Sequence, residues 1–125
     1  MKLFTLDEAN DLLLLVRPKL ERLQAHYGKI EFFRESAKLA ASAAQNGGGG
    51  MESGSHYVKS LYEVGKLTTE FHELGIQLKD YSRGLIDFPT MRGGQMVLLC
   101  WQLGEGDEIE WWHEVEAGFS GRQRL

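Results

Sequence analysis

The residues of this sequence that could do chemistry lie in its second half. They are Asp87, Cys100 and His113, with the carboxylates Glu114 and Glu116 directly after the histidine. An imidazole near a carboxylate can act as a base, and both groups are ligands for transition metals. The alternative is a purely structural role, in which His113 is hydrogen-bonded to a carbonyl or to Asp87 and holds the sheet edge in place. We expect Asp87 and His113 within direct or water-mediated hydrogen-bonding reach of each other, at the rim of a pocket.

Cys100 lies between Leu99 and Trp101 in a strongly apolar stretch. A nucleophilic cysteine needs a neighbouring base and some exposure to solvent. A cysteine inside an apolar strand is more often a small core residue. Residues 113–117 also lack the second histidine of the helical zinc-protease motif. The sequence therefore predicts a packing role for Cys100 and no catalytic residue.

The stretch that must position these groups runs from Met96 to Leu103. Both of its alternate sets of side chains are apolar, which predicts a strand covered on both faces. Further short apolar runs predict strands over residues 76–79, 85–88 and 109–112. Turns are expected at residues 81–84, 89–94 and 104–107. Connections this short join antiparallel neighbours, so we expect the strands of Asp87 and His113 beside the central strand.

A long helix is predicted over about residues 6–44. Thr5 and Glu8 form a capping-box pattern at its start. Apolar residues then recur at alternating spacings of three and four, and only Arg34 interrupts them. Pro18 removes a main-chain hydrogen bond, so we expect a kink there without a break. The series predicts one packing seam along the helix.

The high glycine content of residues 45–54 predicts a flexible connector. A second helix is predicted from Ser55 or His56 to Leu74. Gly75 follows it as a typical residue for ending a helix. The two helices are expected to form an antiparallel hairpin.

The two predicted helices differ in length. At 1.5 Å per residue the first is about 58 Å long and the second about 30 Å. The second helix therefore covers only the part of the first from about residue 25 to 44. The part from Leu6 to Leu23 needs another partner, and the sheet is the available one. The apolar run from Leu12 to Leu15 fits burial by a sheet.

The composition, with 42% hydrophobic and 26% charged residues in 125, is that of an ordinary globular protein. Its apolar runs are far shorter than the roughly 20 residues of a membrane span. The acidic Asp7 and Glu8 interrupt any signal-peptide core. A single cysteine permits no internal disulfide, so we expect a cytoplasmic protein.

The net charge of −4 is unevenly distributed. Residues 104–116 contain six acidic residues and no lysine or arginine. Phosphate binding needs clustered cations, so we do not expect nucleic acid as a partner.

Several stretches carry a resemblance to a known family. They read FTLDEAN, GIQLKD, RGLIDFP and LLCWQLGEGDEIEWWHEVEAGFSGRQ. They resemble a bacterial family catalogued as domain of unknown function 2203. The family has no established activity, so the resemblance implies a fold and a candidate surface but no reaction. It draws attention to the polar residues within these stretches, which are Asp80, Asp87, Arg92, Cys100, His113 and Arg122.

Together these patterns predict an α+β fold in a single domain over residues 1–125. A long helical hairpin occupies residues 5–74, and its first helix backs a small antiparallel sheet formed by residues 75–113. Residues 114–125 are expected to lie on the domain as an extended tail.

The leading functional hypothesis is a non-enzymatic cytoplasmic interaction or scaffold module. The competing hypothesis is an enzyme, or a protein that binds a small ligand or a metal, with a site around Asp87 and His113. Arg92 and Arg122 are the further candidates for ligand binding. Glu116 is the third candidate metal ligand beside His113 and Asp87. The sequence identifies no cofactor.

The end of the first helix also predicts self-association. Phe32 and Phe33 cannot both face the seam inside the hairpin. An exposed aromatic residue beside small residues is a plausible partner surface, and twofold pairing is the commonest way to bury it. We therefore expect a homodimer, with another protein as the alternative partner. The alternative is a monomer with one phenylalanine on the surface. The small residues are Ala37, Ala40, Ala41, Ala43 and Ala44.

Overall fold

Two helices are followed by five strands in the computed structural model, which describes residues 1–44 and 54–125. Helix α1 spans Leu6–Ala44 and helix α2 spans Gly54–Glu73. The strands are β1 Gln77–Asp80, β2 Leu85–Arg92, β3 Gln95–Gln102, β4 Trp111–His113 and β5 Gln123–Arg124. They lie in the order β1-β2-β3-β4-β5, and all neighbours are antiparallel. The predicted α+β fold, with a helical hairpin and an antiparallel sheet, is confirmed.

Helix α1 begins at the predicted capping box. The Thr5 amide donates to Glu8 Oε1 at 2.8 Å, and the Glu8 amide donates to Thr5 Oγ1 at 3.1 Å. These two amides at the helix start are thereby satisfied. The helix continues through Pro18, as expected. The predicted flexible connector falls on residues 45–53, which lie outside the described part, and on Gly54, which begins α2.

Helix α2 ends in a Schellman motif centred on Gly75. The Gly75 amide donates to the His72 carbonyl, and the Ile76 amide donates to the Phe71 carbonyl. Gly75 has a φ of +85°, in the left-handed region that favours glycine. A Cβ there would also lie 2.9 Å from the Lys2 side chain. The sequence therefore identified the helix end correctly, and the turn sends the chain into β1.

The predicted seam of α1 is buried at most of its positions between Ala9 and Ile30, whereas its first member, Leu6, is 39% exposed and Tyr27 is half-buried. Its buried members are Ala9, Leu13, Val16, Leu20, Leu23 and Ile30. By contrast, Leu14 is 65% exposed and Leu15 is 70% exposed. The expectation that the run from Leu12 to Leu15 is buried was thus wrong for these two residues, because the sheet covers only one side of the helix. No helix in residues 1–44 or 54–125 has the length and apolar character needed to cross a membrane.

The two helices lie side by side along only part of α1. Lys19 pairs with Glu70 at 2.8 Å, and His26 Nδ1 lies 3.2 Å from the Ser60 hydroxyl. Helix α2 therefore reaches back as far as Lys19, so the predicted limit near residue 25 was wrong. The segment just before α1 lies against the sheet instead, where the Phe4 amide donates to the Pro89 carbonyl at 2.7 Å.

The two faces of the sheet have different environments. The inner face packs on the helices through Ile86, Phe88, Leu99 and Trp101, in one core with the α1 seam. The alternate residues of the same strands point to the opposite side, which we call the outer face. Asp87 lies on the outer face because it follows Ile86 in β2. A strand covered on both faces was predicted here, and residues 97–101 of β3 are all buried.

Strand β2 is longer than predicted, because Pro89 lies within it and not in a turn. The last β1–β2 pair is Gln77 with Asp87, so Pro89 lies beyond the end of β1. On that side no strand lies beside residue 89, so no strand needs its amide. The turn is instead the pair Gly93–Gly94, with φ of 59° and 77°, which fits a two-residue hairpin.

The chain after β3 also differs from the prediction. Ile109 is buried but lies outside β4, and its amide donates to Asn10 Oδ1 at 2.8 Å. The predicted extended tail contains a 3-10 turn at Phe119–Gly121 before β5 pairs with β4.

Candidate functional site

Three buried polar side chains meet on the outer face of the sheet. Asp87 comes from β2, Cys100 from β3 and His113 from β4, so three adjacent strands supply one each. Asp87 lies opposite Cys100, and His113 lies opposite Leu98. Residues two apart in a strand share a face, so this register places all three side chains together. Their ligand atoms lie within 4.8 Å of one another. We call them the Asp–Cys–His cluster.

His113 is held from both ring nitrogens. Nδ1 lies 2.7 Å from the Glu114 carbonyl oxygen, and Nε2 lies 3.1 Å from Asp87 Oδ2. A carbonyl only accepts hydrogen bonds, so Nδ1 must carry a proton and donate it. The hydrogen bond on Nε2 then takes one of two forms. Either the imidazolium donates to a carboxylate, or a protonated Asp87 donates to the neutral ring.

Burial determines the electrostatics of Asp87. Removal from water raises the pKa of this carboxyl above its ordinary value, and the neighbouring His113 opposes that rise. Oδ1 of Asp87 is buried and accepts no hydrogen bond of ordinary geometry from the described residues. The nearby Cys100 thiol interacts with the carboxyl only as a weak donor. The carboxyl therefore has one oxygen bound to His113 and one without a conventional partner.

Cys100 is unsuited to act as a nucleophile in this state. Its thiol is fully buried, and burial together with the neighbouring Asp87 raises its pKa. The thiolate is the reactive form, so the thiol stays protonated and inert. The residue belongs to the polar cluster and not only to the core, which the sequence did not predict.

The raised pKa of Asp87 predicts how stability depends on pH. The folded chain binds this proton more tightly than the unfolded chain, in which the carboxyl titrates near 3.8. The stability contributed by Asp87 is therefore full below that pH and falls as the pH rises through the raised pKa. We expect the free energy of unfolding of the native chain, minus that of Asp87→Asn, to fall over this range. Urea unfolding at a series of pH values measures it, and a difference that grows with pH contradicts the raised pKa.

The segment from Phe119 to Arg122 covers the outer face. The Arg122 guanidinium lies between the rings of Trp111 and Phe119, 4.8 and 4.6 Å from their centroids, and pairs with Glu105. The guanidinium of Arg83, from the turn before β2, also packs on Phe119, 3.9 Å from the ring centroid. The segment therefore reaches from β4 to the turn between β1 and β2. This cover explains why the cluster is enclosed.

The structure brings together only some of the predicted site residues. Asp87 and His113 share the expected hydrogen bond, but both are 2% exposed, so the pair is enclosed and does not lie at the rim of a pocket. Arg122 packs over the same face of the sheet. Arg92 is exposed at the end of β2 and lies on the inner face instead. Its guanidinium is 4.7 Å from the centroid of the Trp112 ring. Glu116 is exposed and does not belong to the cluster.

A second candidate surface lies where the helices extend away from the core. We call residues 31–43 and 54–66 the arm. None of residues 31–43 is buried, and Ser60 is the one buried residue of 54–66. Phe33 is half-buried and stacks on Tyr57 at 4.1 Å, whereas Phe32 is 74% exposed. The prediction that both phenylalanines cannot face the hairpin seam is confirmed.

The arm exposes several large apolar side chains. They are Phe32, Leu39, Val58, Leu61 and Tyr62. A groove of about 440 Å³ opens between the helices, bordered by Phe32 and Tyr57. Clustered apolar side chains of this size are typical of a surface that binds another protein.

Comparison with known proteins identifies the family but no function. No curated protein and no solved structure matches the chain significantly. Residues 2–125 match the family described as "Uncharacterized conserved protein (DUF2203)". The match covers both helices and the whole sheet. The chain therefore belongs to the DUF2203 family of uncharacterized conserved proteins.

Proposed function

We propose that this protein is a non-enzymatic interaction module of the cytoplasm, and that its arm binds the arm of a second copy. The observation that carries the proposal is the exposure of five large apolar side chains on one projecting part of the molecule. Elsewhere on α1 the regular series of apolar residues is buried against the sheet and α2. The cytoplasmic location is supported by the free, buried Cys100, which has no partner cysteine in the sequence.

The spacing of the exposed residues fits a helical partner. Phe32 and Leu39 are seven residues apart, so they lie on one side of α1. Val58, Leu61 and Tyr62 have spacings of three and four and lie on one side of α2. A hairpin with an apolar stripe on each helix matches the surface that helical bundles bury.

A second copy of the chain is the favoured occupant. Twofold pairing brings identical surfaces together, so the stripe that needs cover also supplies the cover. The charges of the arm allow this, because Glu35 and Lys38 alternate in sign one turn apart and are both exposed. The small side chains Ala40 and Ala43 leave room for close helix approach.

A charge introduced into the arm tests this proposal. We expect Phe32→Glu to dissociate the dimer, because the new carboxylate would be buried at the interface without a partner. The matched control is Leu15→Glu, since Leu15 has similar exposure on the same helix but lies outside the arm. Sedimentation equilibrium at micromolar concentration measures both masses.

The proposal requires a monomer for Phe32→Glu and a dimer for Leu15→Glu and the native chain. A dimer that survives Phe32→Glu unchanged places the interface elsewhere. A native chain that is already monomeric contradicts self-association and leaves a different protein as the partner of the arm.

A further inference from the structure

We propose that the Asp–Cys–His cluster is a binding site for a thiophilic divalent transition metal, with Zn²⁺ as the ion that fits best. Asp87, Cys100 and His113 would be its ligands. This site lies on the outer face of the sheet, away from the arm, so the inference is independent of the proposed self-association.

The hydrogen bonds of His113 prepare its ring for a metal. The Glu114 carbonyl accepts the Nδ1 proton, which fixes the ring orientation. Histidines that bind metals are commonly held in this way, with one ring nitrogen donating to a carbonyl and the other facing the ion. Nε2 is the nitrogen that faces Asp87 and is the one available as a ligand.

The carboxyl of Asp87 is incompletely satisfied without an ion. Buried polar atoms in proteins are almost always hydrogen-bonded, so an exception needs an explanation. Oδ1 of Asp87 is such an exception, in a residue that is only 2% exposed. It belongs to the same carboxyl that contacts His113 and lies near the Cys100 thiol. A cation between these three groups would give that oxygen a partner.

The donor set indicates the kind of metal. One sulfur, one imidazole nitrogen and one carboxylate oxygen are typical ligands of Zn²⁺, whereas Mg²⁺ and Ca²⁺ take oxygen ligands. Bonds of about 2.0–2.3 Å around tetrahedral zinc place ligand atoms about 3.3–3.7 Å apart. The cluster's ligand atoms, all within 4.8 Å, need only small side-chain rotations to reach that spacing.

The charges of the loaded site would balance. Binding removes the thiol proton of Cys100 and the proton shared by Nε2 and Asp87, and both protons pass to solvent. A thiolate, a carboxylate and a neutral imidazole then carry two negative charges in total, which a divalent ion neutralises. A buried site with no net charge avoids most of the cost of burying an isolated ion.

Three adjacent strands supply the ligands, so a bound ion would link β2, β3 and β4. Arg122 and Phe119 cover the same face, and three protein ligands leave one tetrahedral position for a water or another donor. The site would therefore act as a cross-strand brace closed over by the C-terminal segment.

Titration with Co²⁺ tests the site, because a cobalt–thiolate bond gives a charge-transfer absorption band. The full chain is purified without an affinity tag and titrated directly. A second sample is unfolded in urea and refolded with Co²⁺, since the cluster is enclosed in the folded chain. We expect one Co²⁺ per chain with the thiolate band, release of two protons, and replacement of cobalt by Zn²⁺.

Two ligand variants and one control complete the experiment. Cys100→Ala should abolish the band, and Asp87→Asn should weaken Co²⁺ binding at least about 100-fold, the upper end for loss of an outer-shell partner. Glu116→Gln is the control and should bind like the native chain, since Glu116 is exposed outside the cluster. If Cys100→Ala does not fold, Asp87→Asn decides the question.

Absence of the thiolate band from both native samples would overturn the proposal. So would stoichiometric binding that Cys100→Ala and Asp87→Asn leave unchanged, because the ion would then occupy other residues, such as the exposed His56 and His72.

Discussion

Leu20→Ala is expected to lower the free energy of unfolding by about 2–5 kcal/mol. Leu20 is fully buried, with an exposed fraction of 0%. It belongs to the core in which α1 meets both the sheet and α2, through residues such as Phe88 and Phe71. Truncation removes apolar contacts and leaves a cavity that three packed elements cannot easily fill.

Leu14→Ala is the matched control for this substitution. It removes the same atoms from the same helix, but Leu14 is 65% exposed. A surface substitution of this kind changes stability by about 0.5 kcal/mol or less. Urea unfolding measures both variants. Equal losses would show that the two sides of α1 are not distinguished by burial, and would contradict the described packing of α1 on the sheet.

His113→Ala is expected to lower the free energy of unfolding by about 1–3 kcal/mol, the range for a buried hydrogen-bonding partner left unpaired. The imidazole is 3% exposed, and the Asp87 carboxyl that it contacts is 2% exposed. Its loss would leave both oxygens of Asp87 without a conventional partner, since Oδ1 already has none among the described residues. His72→Ala is the control and should change stability little, because His72 is exposed.

A double-mutant cycle separates the pair from its surroundings. Once His113 is absent, removing Asp87 relieves an unpaired buried group. The double variant His113→Ala with Asp87→Ala should therefore lose less stability than the sum of the single variants, by about 0.5–3 kcal/mol. Urea unfolding at constant pH gives all four free energies. Strictly additive losses would mean that the interaction between His113 and Asp87 contributes nothing to the free energy of unfolding.

The helices could be predicted from sequence because their signals are local. The pattern from Thr5 to Glu8 determines where α1 begins, and Gly75 supplies the left-handed residue that ends the turn after α2. The regular spacing of apolar residues predicted the buried side of α1. It did not predict that Leu14 and Leu15 are exposed, because that depends on how much of the helix the sheet covers.

The sheet and the site were less predictable because they depend on register. Proline normally argues against a strand interior, and Pro89 is tolerated only because β1 ends before reaching it. The pairing of Asp87 opposite Cys100 joins residues from different strands, and a slip of one residue would have put them on opposite faces. Cys100 was therefore interpreted as packing alone. The pairing of Arg122 with Glu105 carries no sequence signal for the same reason.

The arm and the cluster make separate claims about different parts of the molecule. The arm consists of exposed apolar residues on two helices, whereas the cluster is enclosed within the sheet. A variant of Phe32 should therefore leave cobalt binding unchanged, and a variant of Cys100 should leave the assembly state unchanged.

Static light scattering of the native chain at micromolar concentration tests the central claim, that the arm binds a second copy, most directly. We predict a mass twice that of one chain, because the exposed stripes on α1 and α2 would be buried against their symmetry mates. A mass equal to one chain, constant across the concentration range, would contradict self-association.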